Sequence, residues 1–83
     1  MKAIIETTVV ANVVYKVEVL VNDETIHKYS PVDKLSLSIH TLLQVLSRNA
    51  LISNKKEVLE DFKASARVLQ KFYEKETSFL RSL

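Results

Sequence analysis

The sequence predicts an α+β fold: an N-terminal antiparallel β-meander of two to three strands, followed by two α-helices, the second long and amphipathic. Residues 3–30 are dense in Val, Ile, Thr and Tyr, side chains that suit a pleated, half-buried surface better than a helix. From Ser30 onward, apolar residues recur at the three- and four-residue spacing of a helix face. A chain of 83 residues suffices for one domain, so both patterns are expected to belong to a single body spanning 1–83.

The clearest strand runs from Val13 to Val21, where Val13, Tyr15, Val17, Val19 and Val21 alternate with Lys16 and Glu18. That period of two marks one covered face and one wet one. Asn22-Asp23 follows, and both residue types tolerate a positive φ, so a two-residue turn is expected there. A regular hairpin of about 13–21 and 24–30 then pairs Val19 with Ile26 and sets Glu18 opposite His27. Upstream, a single strand from Val9 to Val21 would reach about 40 Å, too long for an ordinary strand. A turn near Ala11-Asn12 is preferred to a bulge, which completes a meander over about 3–30.

Helix 1 is placed at about 33–49, with a start a few residues later as the alternative, because Leu35-Ser36-Leu37-Ser38-Ile39 alternates like a strand. Ser30-Pro31-Val32-Asp33 offers an N-cap, a Pro at the first helical position and an acid for a capping box. Leu35, Ile39, Leu42, Leu43 and Leu46 form its stripe, and Arg48 is the sole charge between Leu35 and Ile52, as expected of a helix covered on two sides. Asn49 is the expected left-handed terminator in a chain without Gly. Helix 2 is placed at about 55–82, opened by Asn54 with Glu57 completing a second capping box. Leu59, Phe62, Ala66, Leu69, Tyr73, Leu80 and Leu83 follow a seven-residue repeat, with Glu76 at one core-type position and Val58, Phe72 and Phe79 as flanks.

A helix of that extent is roughly 43 Å long at 1.5 Å per residue. A compact chain of this size spans only roughly 30 Å. Either the helix kinks or ends early, with Ser65 or Thr77-Ser78 as the weakest points, and folds back as a monomer, or its far end packs against a partner. The partner is the preferred expectation, with a homodimer as the simplest form and another protein as the further one. The candidate interface is Phe72, Tyr73, Phe79, Leu80 and Leu83.

Composition excludes much chemistry. Without Gly there is no glycine-rich phosphate cradle, and without Cys no thiolate nucleophile, disulfide or cysteine metal site. Ser36, His40 and Ser47 could share a helix face, but no acid lies nearby to orient the imidazole. His27 opposite Glu18 supplies two ligands where a zinc site needs at least three. Glu57, Glu60 and Asp61 cluster near a helix start, where acids are favoured electrostatically. No catalytic, metal or cofactor site is expected, and the chain is not read as an enzyme.

The charge pattern with most content is Lys63, Arg67, Lys71 and Lys75, spaced by four along helix 2. A solvated face explains it most simply, and contact with an acidic partner or with nucleic acid follows. A formal net charge of +2 gives little support to the latter. No apolar run suits a membrane span, and Glu6 interrupts the opening where a secretory signal would lie, so a cytoplasmic setting is expected.

The strand–strand–strand–helix order is similar to the opening of ribonuclease H-like domains. The acidic metal ligands and further strands of that fold have no counterpart in this sequence, so the likeness carries no function. The functional expectation is a non-catalytic protein-interaction domain acting by stoichiometric binding, as an inhibitor, adaptor or antitoxin-like subunit. It is expected to self-associate through its C-terminal helix. The alternative is a nucleic-acid-binding regulator that uses the basic stripe.

Overall fold

The computed structural model describes residues 1–10 and 14–82, and side-chain surroundings for all of these except Val14, Glu76 and 78–82. Three strands, β1 (Ile4–Val10), β2 (Val14–Val21) and β3 (Glu24–Tyr29), form one antiparallel sheet in the order β1-β2-β3. Two helices follow, α1 (Leu35–Arg48) and α2 (Lys55–Ser82). The chain is thus an α+β fold with a three-stranded meander. The turn expected near Ala11-Asn12 falls outside the described residues; β1 and β2 pair antiparallel as far as Val10 with Val14.

Asn22 and Asp23 adopt φ of 51° and 65°, the left-handed pair that a tight two-residue hairpin requires. The register beyond the turn departs from the regular hairpin. Val21 pairs with Glu24 and Leu20 with Thr25, but Val19 then pairs with His27, leaving Ile26 as an extra residue in β3. Glu18 consequently stands opposite Lys28 and not His27. The physical reason is facial. Directly paired residues share a face, so an unbroken register would carry Lys28 beneath Val17 into the core and turn Tyr29 outward. The bulge reverses that choice, and Tyr29, paired with Val17, is only 1% exposed.

Both helices cover the face that carries Val17, Val19, Val21 and Tyr29, with α2 over β1 and β2 and α1 against β3 and α2. Leu42 and Leu46 from α1, Ile52 from the connection, and Val58, Phe62, Ala66 and Leu69 from α2 close this core. Each large aliphatic or aromatic side chain so buried contributes about 1.5–3 kcal/mol. The opposite face is wet. There Glu18 accepts a 2.7 Å hydrogen bond from Thr25 and pairs with Lys16 at 3.0 Å, and these contacts lower its carboxyl pKa.

The helix ends differ from expectation in three places. Ser30 to Asp33 forms a turn closed by a 2.9 Å bond from the Asp33 amide to the Ser30 carbonyl, so α1 starts at Leu35, after an extended Lys34 without a side-chain cap. Asn49 ends α1 with φ −108° and ψ 82°, not in the left-handed region; its amide reaches the Leu46 carbonyl, which tightens the last turn. Asn54 does precede α2, but its side chain does not cap the helix. It both donates to the Ala3 carbonyl and accepts from the Ala3 amide, each at 2.9 Å, and so clips the entry of β1 to the start of α2.

Candidate interaction surface

The surface is built on α2, whose buried stripe is Val58, Phe62, Ala66 and Leu69, with Leu59 only half-buried. Tyr73 continues that stripe to the end of the sheet. Its ring meets Tyr15, near the start of β2, edge to face at 5.8 Å. Beyond that contact α2 runs to Ser82, roughly 14 Å further at 1.5 Å per residue. The molecule measures 49 × 23 × 15 Å, far from the roughly 30 Å sphere of a compact chain of this length.

The candidate interface residues fall into three groups. Phe72 points away from the core and is 57% exposed. Tyr73 belongs to the domain's own packing through Tyr15. The side chains of Phe79 and Leu80, and residue Leu83 altogether, lie outside the described residues, as does the side chain of Glu76. Beside Phe72, the side chains of Val68, Lys71 and Lys75 enclose an open groove of about 250 Å³. Its floor is apolar, because the lysine stems lie along it while their ammonium heads reach water.

The basic stripe is not uniform. Arg67, Lys71 and Lys75 are exposed, whereas Lys63 is half-buried and approaches Glu60 at 3.8 Å. A spacing of four drifts about 40° around a helix at each step. Lys63 therefore sits on the flank, and Lys75 has come round to the outward face.

The residues weighed for catalysis do not assemble. His40 is exposed and shares a 3.3 Å contact with Gln44, while the Ser47 hydroxyl donates to the Gln44 carbonyl at 2.9 Å. His27 meets neither Glu18 nor a metal-type cluster; among the described residues no group of three or more His, Asp or Glu comes together.

Sequence reasoning missed the pairing that His27 does make. Its Nε2 lies 2.9 Å from the Ser38 hydroxyl, its ring packs on Phe62 at 5.4 Å, and burial lowers its pKa. A cleft of about 220 Å³ opens beside it, lined by Lys28, Asp33, Lys34, Leu37, Ser38 and Thr41. Ser38 is only 9% exposed, which is unfavourable for a nucleophile that must reach substrate. The available signal was Tyr29. Placing that residue inward also places His27 inward, two positions earlier on the same strand face.

Among the described residues no helix is long and apolar enough to cross a membrane. Comparison with protein-family models, curated proteins and solved structures finds no match to this chain.

Proposed function

We propose that this chain is a non-catalytic interaction domain that acts by stoichiometric binding, as an inhibitor, adaptor or antitoxin-like subunit, with the cytoplasm as its setting. In this reading it self-associates through α2. The observation that supports it is the outward face of that helix, where Val68 and Phe72 are each more than half exposed beside a groove edged by Lys71 and Lys75. An apolar hollow edged by cations suits an apolar surface that carries carboxylates. Sedimentation equilibrium over about 10–500 μM tests self-association, since a dimer of micromolar affinity is populated across that range. A species that stays at the monomer mass throughout removes it. Replacing Val68 and Phe72 together by Ser separates interface from core, since both are exposed: loss of association with the fold kept supports the reading, and unfolding opposes it.

A second reading is a nucleic-acid-binding regulator. It is favoured by the three exposed cations Arg67, Lys71 and Lys75 on consecutive turns of one helix. Retention on DNA or RNA at about 50 mM salt, lost as salt rises, would support it. No retention at that concentration would end it.

A further inference from the structure

Along the exposed side of α2, six residues follow one another at spacings of four and three: Glu57, Asp61, Ala64, Val68, Lys71 and Lys75. All six are exposed, and together they form a second seven-residue seam, on the side of the helix away from the sheet. The order is acid, acid, apolar, apolar, base, base. Reversed end for end, that series is its own complement.

We infer that two copies of this chain pair through α2 in antiparallel, with this seam as the contact and the twofold axis crossing it midway between Ala64 and Val68. The inference rests on the self-association proposed above and specifies its face and direction. Ala64 of one copy then packs on Val68 of the other, Asp61 faces Lys71, and Glu57 faces Lys75, each contact occurring twice by symmetry. Ala64 leaves room for the partner's Val68 at the centre of the seam, and Phe72 lies beside the seam, where it shields the Asp61–Lys71 pairs from water. The groove at Val68, Lys71, Phe72 and Lys75 receives the acidic early turns of the partner helix. A parallel pair would instead set acids against acids and bases against bases.

The helix dipole does not account for this arrangement. Its influence fades within the first and last turns, yet Asp61 lies beyond the first turn and Lys71 and Lys75 lie well before Ser82. Arg67 sits on the rim near the axis, where two copies meet as like charges in solvent, and the association is accordingly of modest strength.

The test uses two charge-reversed full-length chains, Glu57→Lys with Asp61→Lys, and Lys71→Glu with Lys75→Glu. All four positions are exposed, so circular dichroism should show the fold retained. Each variant alone should self-associate at least about tenfold more weakly than the native chain, because attraction is replaced by repulsion at every charged contact. An equimolar mixture should recover a one-to-one dimer. Direction is read separately with single cysteines, which no native Cys confuses. Glu57→Cys mixed with Lys75→Cys should form a disulfide across the pair, and Glu57→Cys alone should not. A native dimer that survives both reversals, or a cross-link from Glu57→Cys alone, overturns this inference and leaves self-association through another surface standing. A native chain that is monomeric at every concentration overturns both.

Discussion

His27 on β3 and Ser38 on α1 share a hydrogen bond of 2.9 Å at the seam between sheet and helix, with the imidazole held against the ring of Phe62. Burial lowers the His27 pKa below its ordinary value of 6.5, the Ser38 contact acting in the other direction. The unfolded chain therefore binds a proton at this site more readily than the folded one. Its contribution to stability is complete above about pH 6.5 and declines as pH falls below that value towards the folded pKa. Thermal melts from pH 7.5 down to about pH 5.5, above the main carboxylate range, should show a falling midpoint. In His27→Gln, which keeps a polar group but not the titration, the dependence should flatten. An equal slope in both proteins would assign it to other groups.

The hydroxyl of Tyr29 is buried, and among the described residues it has no hydrogen-bond partner. Its pKa is raised, first by burial and then by the charge of Asp33. An unsatisfied buried hydroxyl costs about 1–3 kcal/mol, whereas the ring itself packs edge to face on Phe62 at 6.2 Å. Tyr29→Phe keeps the ring and removes the cost. Chemical denaturation should therefore show stability unchanged or raised by about 1 kcal/mol. A loss of that size would mean that the hydroxyl is satisfied in solution, with Gln70 on α2 the side chain placed to do it.

Asn54 satisfies both backbone groups of Ala3, a residue 51 positions away in sequence, and so fixes β1 against the start of α2. Asn54→Ala leaves the part-buried Ala3 amide and carbonyl without these partners, and a loss of about 1–3 kcal/mol is expected. Asn54→Asp should be no better: its carboxylate still accepts from the amide but turns an acceptor towards the carbonyl. Urea melts of the two variants check this, and an Asp variant of native stability would show that only the amide bond matters.

Much of this architecture is legible in the residues. The hairpin turn follows from Asn22-Asp23 because few residues other than Gly accept consecutive positive φ values. The long helix follows from the spacing of Phe62, Ala66, Leu69 and Tyr73, and the same repeat marks Phe72 as a flank, which the structure turns outward. The bulge at Ile26 is not legible. The turn alone specifies the regular register, and the competing demand, burial of Tyr29 against Phe62, depends on a helix more than thirty residues downstream. The same holds for Asn54. Its sequence neighbours suggest a cap, while its actual partner is distant in the chain. The basic stripe is legible as charge. Its division into one paired flank residue, Lys63, and three exposed ones emerges only once the core-facing side of α2 is fixed.

Two phenylalanines ten positions apart on α2 test which side of that helix is core. Phe62 is fully buried among Tyr29, His27 and the sheet, whereas Phe72 is 57% exposed. Truncating a buried Phe to Ala costs about 3–5 kcal/mol, a large part of the stability of so small a domain. Phe62→Ala should thus lose most of its cooperative unfolding transition. Phe72→Ala should stay within about 0.5 kcal/mol of the native chain when measured at dilution, where association does not contribute. Equal losses at the two sites would refute the assigned orientation of α2.

The bulge itself gives the sharpest prediction. Deleting Ile26 leaves Val21 with Glu24 and Leu20 with Thr25, then brings the residue now called His27 opposite Val19 with no residue to spare. The result is a regular two-residue hairpin in which His27 and Tyr29 keep their inward face. The deletion should therefore be tolerated, at a cost of about 1–2 kcal/mol for the half-buried Ile26 side chain and the local bend. Deleting Lys28 instead lets the regular register run on from the turn, with Ile26 opposite Val19, His27 opposite Glu18 and Tyr29 still opposite Val17. The bulge is lost, Tyr29 keeps its inward face, and His27 turns to the wet face, away from Ser38 and Phe62. That variant should also fold, at a cost of about 1–2 kcal/mol for the lost His27–Ser38 hydrogen bond. Both deletions are thus expected to be tolerated, with the pH dependence assigned to His27 kept when Ile26 is removed and lost when Lys28 is removed. A Lys28 deletion that fails to fold would show that Tyr29 is not what sets the register.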